Sequence, residues 1–178
     1  MQEINLKEHF KSFPAKQVKK GEILLRAGDF TNSAFFVEEG CLRAYIINSN
    51  GKEYIYQFAP ENWIVSDEEA VLEKKEAIFY IDAIEDSVIK VLNSGDLRSP
   101  DMNVDAANKH ISGLQRKLNS FRKRIILLLS ATAEERYETF IKTYPNLAQR
   151  VPLKMIASYI GITPESLSRV RKELVAKK

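Results

Sequence analysis

The chain has 178 residues, of which 44% are apolar, so it is able to form a hydrophobic core and is neither disordered nor fibrous. Charged residues make up 29%, and no apolar run is long enough for a membrane span or a signal peptide, so we expect a soluble, cytoplasmic protein. The single cysteine, Cys41, excludes an internal disulfide, and with only His9 and His110 beside it we expect no metal and no cofactor.

The net charge of +3 hides an uneven distribution along the chain. Residues 53–105 have a net charge of −9, whereas residues 106–133 carry +6 and residues 150–178 carry +5. A basic C-terminal third is typical of a protein that binds a polyanion, although solvated helix faces would give the same charge.

Between residues 21 and 92 the chain breaks into short runs rich in β-branched and aromatic residues, separated by Gly, Asn and Asp. Runs of this length and spacing predict a sandwich or barrel. The Asn50-Gly51 pair favours a tight turn, so the runs on either side of it are expected to form a hairpin. We therefore predict an α+β protein whose residues 1–99 form a double-stranded β-helix, or jelly-roll. Its strands are expected at 22–26, 34–37, 42–47, 54–58, 78–81 and 88–92.

A jelly-roll enzyme would need converging histidines or an activated nucleophile. Neither His9 nor His110 falls in a predicted strand, and no nucleophile elbow, P-loop or Cys–His pair is present. We therefore expect no enzymatic activity.

A long helix is predicted over residues 100–130. Ser99-Pro100-Asp101 has the residue types of a helix start. The apolar residues that follow alternate at spacings of three and four, which is a heptad pattern and indicates a dimerisation helix. The basic residues 109, 116, 117 and 122–124 are expected to form solvated flanks, and packing against its own β-domain is the alternative for the helix. The heptad positions are Val104, Ala107, Ile111, Leu114, Leu118, Phe121, Ile125 and Leu128.

Residues 153–172 have the pattern of a helix-turn-helix. Ala157 supplies a small residue where two helices cross, Gly161 supplies the turn, and Thr163-Pro164 starts the second helix. The alternative is an ordinary helical hairpin. We therefore predict a DNA-binding domain over residues 131–178, with an inward face formed by Ile156, Ile160, Ile162, Leu167 and Val170.

The second helix of such a unit enters the major groove of DNA by its N-terminal part. Arg169 is able to donate two hydrogen bonds to guanine and Glu165 to accept one from cytosine, so both are predicted to read bases. Ser166 and Ser168 are expected to be exposed beside them. The residues predicted to contact phosphates are Lys154, Ser158, Arg171 and Lys172.

The order of β-roll, long helix and helix-turn-helix resembles the Crp/Fnr superfamily of bacterial transcription regulators. The motifs at 20–29, 35–40 and 83–87 are similar to its β-roll, and those at 135–137, 150–154 and 167–169 resemble short members from Bacteroidetes-type bacteria. The resemblance implies a homodimer on a palindromic operator, with RNA polymerase as a partner and a small-molecule effector. Glu165 and Arg169 match its base-reading positions, whereas Pro164 replaces a further DNA-contacting Arg.

The ligand cassette of the cyclic-nucleotide-binding members is altered here. By the resemblance, the ligand-pocket positions are Ser66, Asp67, Ala77 and Ile78, so the phosphate-binding Arg is absent unless Lys74 or Lys75 replaces it. In a segment with a net charge of −9, an anionic phosphate lacks a counter-charge, so we expect weak or no binding of cyclic AMP. The oxygen-sensing branch needs a cysteine-ligated cluster, which a single cysteine excludes.

These observations predict a homodimeric, sequence-specific DNA-binding regulator of unknown effector. By the resemblance, we expect no counterpart of the β-hairpin wing that many relatives carry after the second helix of the helix-turn-helix. This keeps open the alternative of a small-molecule-binding β-roll module without DNA-binding activity.

Overall fold

The computed structural model describes residues 6–96 and 104–176. The chain divides into two compact units, residues 1–101 and residues 102–178. The predicted helix start at Ser99-Pro100-Asp101 lies outside the described residues.

The first unit consists of two four-stranded antiparallel sheets, ordered β1-β8-β3-β6 and β2-β7-β4-β5. This arrangement confirms the predicted β-roll. The six predicted strands are all present, and the structure adds β1, the two-residue β6 and two short helices. The elements are α1 (Leu6–His9), β1 (Ala15–Val18), β2 (Ile23–Leu25), β3 (Ser33–Glu39), β4 (Leu42–Ile47), β5 (Glu53–Ala59), β6 (Ile64–Val65), α2 (Glu68–Glu73), β7 (Tyr80–Ala83) and β8 (Ser87–Asn93).

The predicted hairpin is confirmed by the register of β4 and β5, in which Leu42 pairs with Ala59 and Ile47 with Glu53. Gly51 occupies the turn at φ +74°, in the left-handed region that a residue without a Cβ adopts easily. Inward-facing residues of both sheets form the core, since alternate side chains of a strand point to opposite faces. The core includes Val37, Leu42, Ile81 and Ile89, all fully buried.

Two side chains with polar groups, Lys90 and Cys41, are buried in the first unit, and Lys90 joins β8 to the segment after α1. The ammonium group of Lys90, only 3% exposed, donates hydrogen bonds to the carbonyls of Phe10 at 2.8 Å and Lys11 at 3.2 Å, just after α1. Cys41 is fully buried, and its thiol donates to the carbonyl of Leu42 at 3.4 Å. Both side chains therefore lie inside the fold rather than on a reactive surface.

The second unit is helical. Its first helix, α3, runs without a break over Val104–Ser130 and matches the predicted long helix within the described residues. Thr132 caps the next helix through a capping box, in which it bonds the amide of Glu135 and the Glu135 carboxylate bonds back. The further helices are α4 (Ala133–Thr143), α5 (Leu147–Arg150), α6 (Leu153–Tyr159) and α7 (Pro164–Ala176).

Candidate nucleic-acid interface

Helices α6 and α7 form the predicted helix-turn-helix. Ala157 is fully buried, and its carbonyl accepts a hydrogen bond from the amide of Ile162 at 3.0 Å, which closes the turn. Gly161 has φ +70°, and an ideal Cβ built there would lie 2.9 Å from Cδ2 of Leu128. The turn therefore needs glycine both for its backbone conformation and for the close approach of α3.

Helix α7 presents a polar face to solvent. Glu165, Ser168, Arg169 and Lys172 are all exposed, and their spacings of three, four and seven residues place them on one side of the helix. The opposite side is buried through the two residues Leu167 and Val170. Glu165, Arg169 and Lys172 are therefore displayed together, whereas Arg171 is exposed outside this face. The expectation that Ser166 is exposed is wrong, because this residue is half-buried next to Leu167.

Two side chains bond the backbone of the first turn of α7, and Thr163, just before the helix, is its cap. The Thr163 hydroxyl accepts a hydrogen bond from the amide of Ser166 at 3.2 Å, and the Ser168 hydroxyl donates to the carbonyl of Pro164 at 2.9 Å. Bonds from its own amide and from the Thr163 hydroxyl lower the pKa of the Glu165 carboxyl. Glu165 is thus an ionised acceptor at neutral pH, whereas Arg169 makes no hydrogen bond or ion pair with any described residue.

The predicted phosphate contacts lie on two helices. Lys154 on α6 and Arg171 and Lys172 on α7 are exposed, whereas Ser158 on α6 is half-buried. Residues 150–178 hold seven basic and two acidic residues, so the field around α7 is positive. A positive surface around an exposed helix is the electrostatic footprint of a nucleic-acid site.

Two arginines bind backbone carbonyls at the end of α6 and so support the helix-turn-helix. The Arg124 guanidinium lies 3.9 Å from the centre of the Tyr159 ring and donates to the Tyr159 carbonyl at 3.0 Å. Arg136 donates to the carbonyls of Ala131 at 2.9 Å and Ile160 at 3.4 Å. The expectation that Arg124 belongs to a solvated flank of α3 is wrong, because charge along a helix does not indicate what packs against it.

The predicted heptad face of α3 is largely uncovered in the single chain. Ile111, Leu114, Leu118 and Ile125 are 51%, 51%, 68% and 57% exposed. Phe121 is half-buried, and so is Leu128, which lies beside Gly161. No side chain is described for Val104 and Ala107. A row of exposed aliphatic side chains on one helix is unusual for a monomeric surface.

The four predicted ligand-pocket positions of the β-roll come together around one buried carboxylate. Asp67 is 2% exposed, and its Oδ2 accepts from the amides of Ile78 at 2.7 Å and Phe79 at 3.3 Å. Its Oδ1 accepts from the amide of Ala70 at 3.2 Å, as the cap of α2. Ser66 is half-buried, Ala77 buried and Ile78 exposed. The Asp67 carboxylate therefore binds backbone amides at the place where the resemblance predicts a ligand.

No cluster of potential metal ligands occurs among the described residues. Within residues 6–96 and 104–176, no helix is long and apolar enough to cross a membrane.

Comparison with known proteins identifies relatives for both units. Residues 15–99 match the family described as the cyclic nucleotide-binding domain. Over 170 residues the chain is 25% identical to the anaerobic regulatory protein of Pasteurella multocida. This alignment covers 87% of this chain and 60% of that protein. It is 27% identical over 174 residues to the transcriptional activator protein Anr of Pseudomonas aeruginosa, covering 87% and 68%. The chain spans about three fifths of the length of the P. multocida relative.

Solved structures share the fold. FixK2 from Bradyrhizobium japonicum superposes with a TM-score of 0.78 at 21% identity, covering 93% of this chain and 85% of that one. A transcriptional regulator of the CRP/FNR family from Thermus thermophilus gives a TM-score of 0.70 at 17% identity, covering 92% and 87%. The two sequence relatives named above are regulators by their descriptions.

Proposed function

We propose that the chain is a member of the Crp/Fnr superfamily and a sequence-specific DNA-binding regulator of transcription, not an enzyme. The observation that carries the proposal is the exposed face of α7. Glu165 and Arg169 lie one helical turn apart on it, and Leu167 and Val170 anchor the opposite side. This is the arrangement in which a recognition helix presents an acceptor and a bidentate donor to the major groove.

The dimer is part of the proposal. A second copy of α3, packed against Ile111, Leu114, Leu118 and Ile125, would bury the apolar row that the single chain exposes. Two-fold symmetry then presents two α7 helices to DNA, so the operator is palindromic, with half-sites about one helical turn apart. In this arrangement residues 100–130 are the dimerisation helix and residues 131–178 the DNA-binding domain.

Residues 1–99 are proposed to be a sensor or scaffold domain that does not respond to cyclic AMP. The amides of Ile78 and Phe79 already donate to the Asp67 carboxylate. A cyclic phosphate at this place would meet a buried anion instead of an arginine, which is unfavourable for binding. The effector and the contact with RNA polymerase stay predictions from the family.

Two substitutions on α7 test whether this helix reads bases in the major groove. DNA fragments that bind the chain would first be selected from genomic DNA, and affinities measured by fluorescence anisotropy at several salt concentrations. We expect Arg169→Ala to cost about 1–3 kcal/mol on the selected site and to relax the preference at one base pair. Arg171→Ala, the matched control, should weaken binding equally on all sequences and lower the salt slope by about one.

Unchanged affinity and base preference in Arg169→Ala would contradict the assignment of α7 as the reading helix. If the chain selects no fragments and shows no salt-dependent DNA binding, the alternative of a β-roll module without DNA-binding activity is correct.

A further inference from the structure

The helical unit contains a cavity of about 510 Å³ between the C-terminal half of α3, α4 and the end of α6. Apolar and aromatic side chains form most of its wall, including Leu127, Phe140 and Ile160. This volume falls within the range of pockets that hold small organic molecules. The cavity is separate from the proposed ligand positions of the β-roll, which lie in the first unit.

The charged side chains that line the cavity are all positive. Lys123, Arg124 and Arg136 line it, and no acidic side chain is among the described residues that do so. Arg136 bonds backbone carbonyls through Nε and Nη1, which fixes the plane of its guanidinium. A guanidinium held in one orientation loses little entropy when it binds a carboxylate or sulfonate, and such bonds are charge-assisted.

An aromatic cluster forms another part of the wall, next to Arg124, whose guanidinium lies 3.9 Å from the centre of the Tyr159 ring. The Phe140 ring centre lies 5.6 Å from that of Tyr144 and 5.7 Å from that of Tyr159, in tilted and edge-to-face contacts. Burial raises the pKa of the Tyr144 hydroxyl well above its ordinary range, and the neighbouring Tyr159 raises it further. The Tyr144 hydroxyl lies 3.5 Å from the Tyr159 hydroxyl, so the two hydroxyl groups share a hydrogen bond within the cluster.

We propose that this cavity is a binding site for a small amphipathic anion, with an aromatic or aliphatic body and a single carboxylate or sulfonate. The body packs against the ring of Phe140 and the apolar wall, and the anionic group is bound by Lys123 and Arg136.

Occupation of the cavity acts on the helix-turn-helix. Arg124 and Arg136, which line the cavity, also bond the carbonyls of Tyr159 and Ile160 at the end of α6. A ligand that binds these guanidinium groups therefore changes the hydrogen bonds that hold the end of α6, the segment that positions α7. This coupling rests on the proposed DNA-binding function, whereas the binding site itself does not.

The probe for the site is 8-anilinonaphthalene-1-sulfonate, an anionic naphthalene that fluoresces in apolar surroundings, and its neutral counterpart is N-phenyl-1-naphthylamine. We expect saturable binding of one sulfonate per chain by calorimetry, and binding of the neutral probe that is weaker by about tenfold, since the charge-assisted bonds are lost. Thr139→Phe, which places a bulky ring in the cavity from α4, should weaken binding of the sulfonate.

Charge variants complete the test. Arg136→Gln and Lys123→Gln should each weaken binding of the sulfonate, and Lys142→Gln, an exposed lysine of α4 outside the cavity, should leave it unchanged. Lys123 is itself exposed, so Lys123→Gln keeps the test valid if Arg136→Gln fails to fold. Equal affinity for both probes, or binding to Thr139→Phe as tight as to the unmodified chain, would overturn the proposal.

Two further measurements distinguish the binding site from self-association and from the DNA-binding function. If a second copy of the chain fills the cavity, probe binding will fall as the chain concentration rises, which would also refute the site. DNA affinity measured with and without saturating probe tests the coupling alone. Probe binding without any DNA binding would reject the proposed function but keep the site, and DNA binding without probe binding would do the reverse.

Discussion

Replacing Gly161 with alanine tests the physical basis of the turn between α6 and α7. Gly161 has φ +70°, a conformation that costs a residue with a Cβ about 1–2 kcal/mol. The new methyl group would also lie 2.9 Å from Cδ2 of Leu128, whereas carbon atoms pack best at roughly 3.5–4.0 Å. Forcing Leu128 aside is overpacking, which costs about 1–3 kcal/mol. We therefore expect the helical unit to lose about 2–5 kcal/mol of its free energy of unfolding.

The same substitution elsewhere separates the two causes. Gly51 in the hairpin has φ +74° but nothing within 4 Å of an added Cβ, so Gly51→Ala should cost only the conformational part, about 1–2 kcal/mol. Gly113 lies inside α3, and its nearest neighbour, Nη2 of Arg116, is 3.9 Å from an added Cβ. Gly113→Ala should therefore stabilise the protein, by about 0.5–1 kcal/mol.

Urea denaturation followed by two probes measures these effects. The only tryptophan, Trp63, lies in the first unit and reports on the β-roll by fluorescence, while far-UV circular dichroism is dominated by the helices of the second unit. Gly161→Ala should shift the dichroism transition and leave the fluorescence transition in place. In a Leu128→Ala background its cost should fall to that of Gly51→Ala. If Gly161→Ala stays as costly in the Leu128→Ala background as in the unmodified chain, the steric part of the reasoning is refuted. It is also refuted if Gly161→Ala in the unmodified chain costs no more than Gly51→Ala.

Two further predictions concern buried and capping carboxylates. Asp67→Asn keeps one acceptor oxygen for the three amides that Asp67 now binds. The β-roll should therefore lose about 2–4 kcal/mol of its free energy of unfolding, measured by the Trp63 fluorescence transition in urea. An unchanged transition would contradict the role of this carboxylate. In the capping box, bonds from the Thr132 amide and hydroxyl lower the pKa of Glu135 below its ordinary 4.5. The stabilisation of α4 by the ionised Glu135 carboxylate is therefore fully present above pH 4.5 and is lost as the pH falls through the lowered pKa. In thermal melts, the difference in melting temperature between the unmodified chain and Glu135→Gln should therefore shrink only in acid.

Strands and helices with a strong pattern are the part of the fold that sequence reasoning predicts well. Alternating apolar residues, the Asn50-Gly51 pair and the small residue and glycine of the helix-turn-helix all act locally, so their effect is visible in the sequence. The strand β1 is absent from the prediction because it is an edge strand in which only Val18 is buried. The strand β6 is absent because it has two residues, too few for any periodicity.

The site is harder to predict than the fold, for a different reason. Exposure of Glu165 and Arg169 follows from their helical spacing relative to Leu167 and Val170. What Asp67 and Arg124 bind depends on residues 11 and 35 positions away along the chain, which no local pattern encodes. Sequence reasoning therefore locates the polar side chains but does not identify the backbone groups opposite them.

The burial of Cys41 has a practical consequence for experiments on α7. The chain's single thiol is fully enclosed, so the folded protein offers no native site to a maleimide reagent. A cysteine introduced at Ser168, which is exposed, can be labelled selectively with a dye without first removing a native residue. In the unlabelled chain, Cys41 reacts only when the β-roll opens, so its rate of modification measures how often that unit unfolds under native conditions.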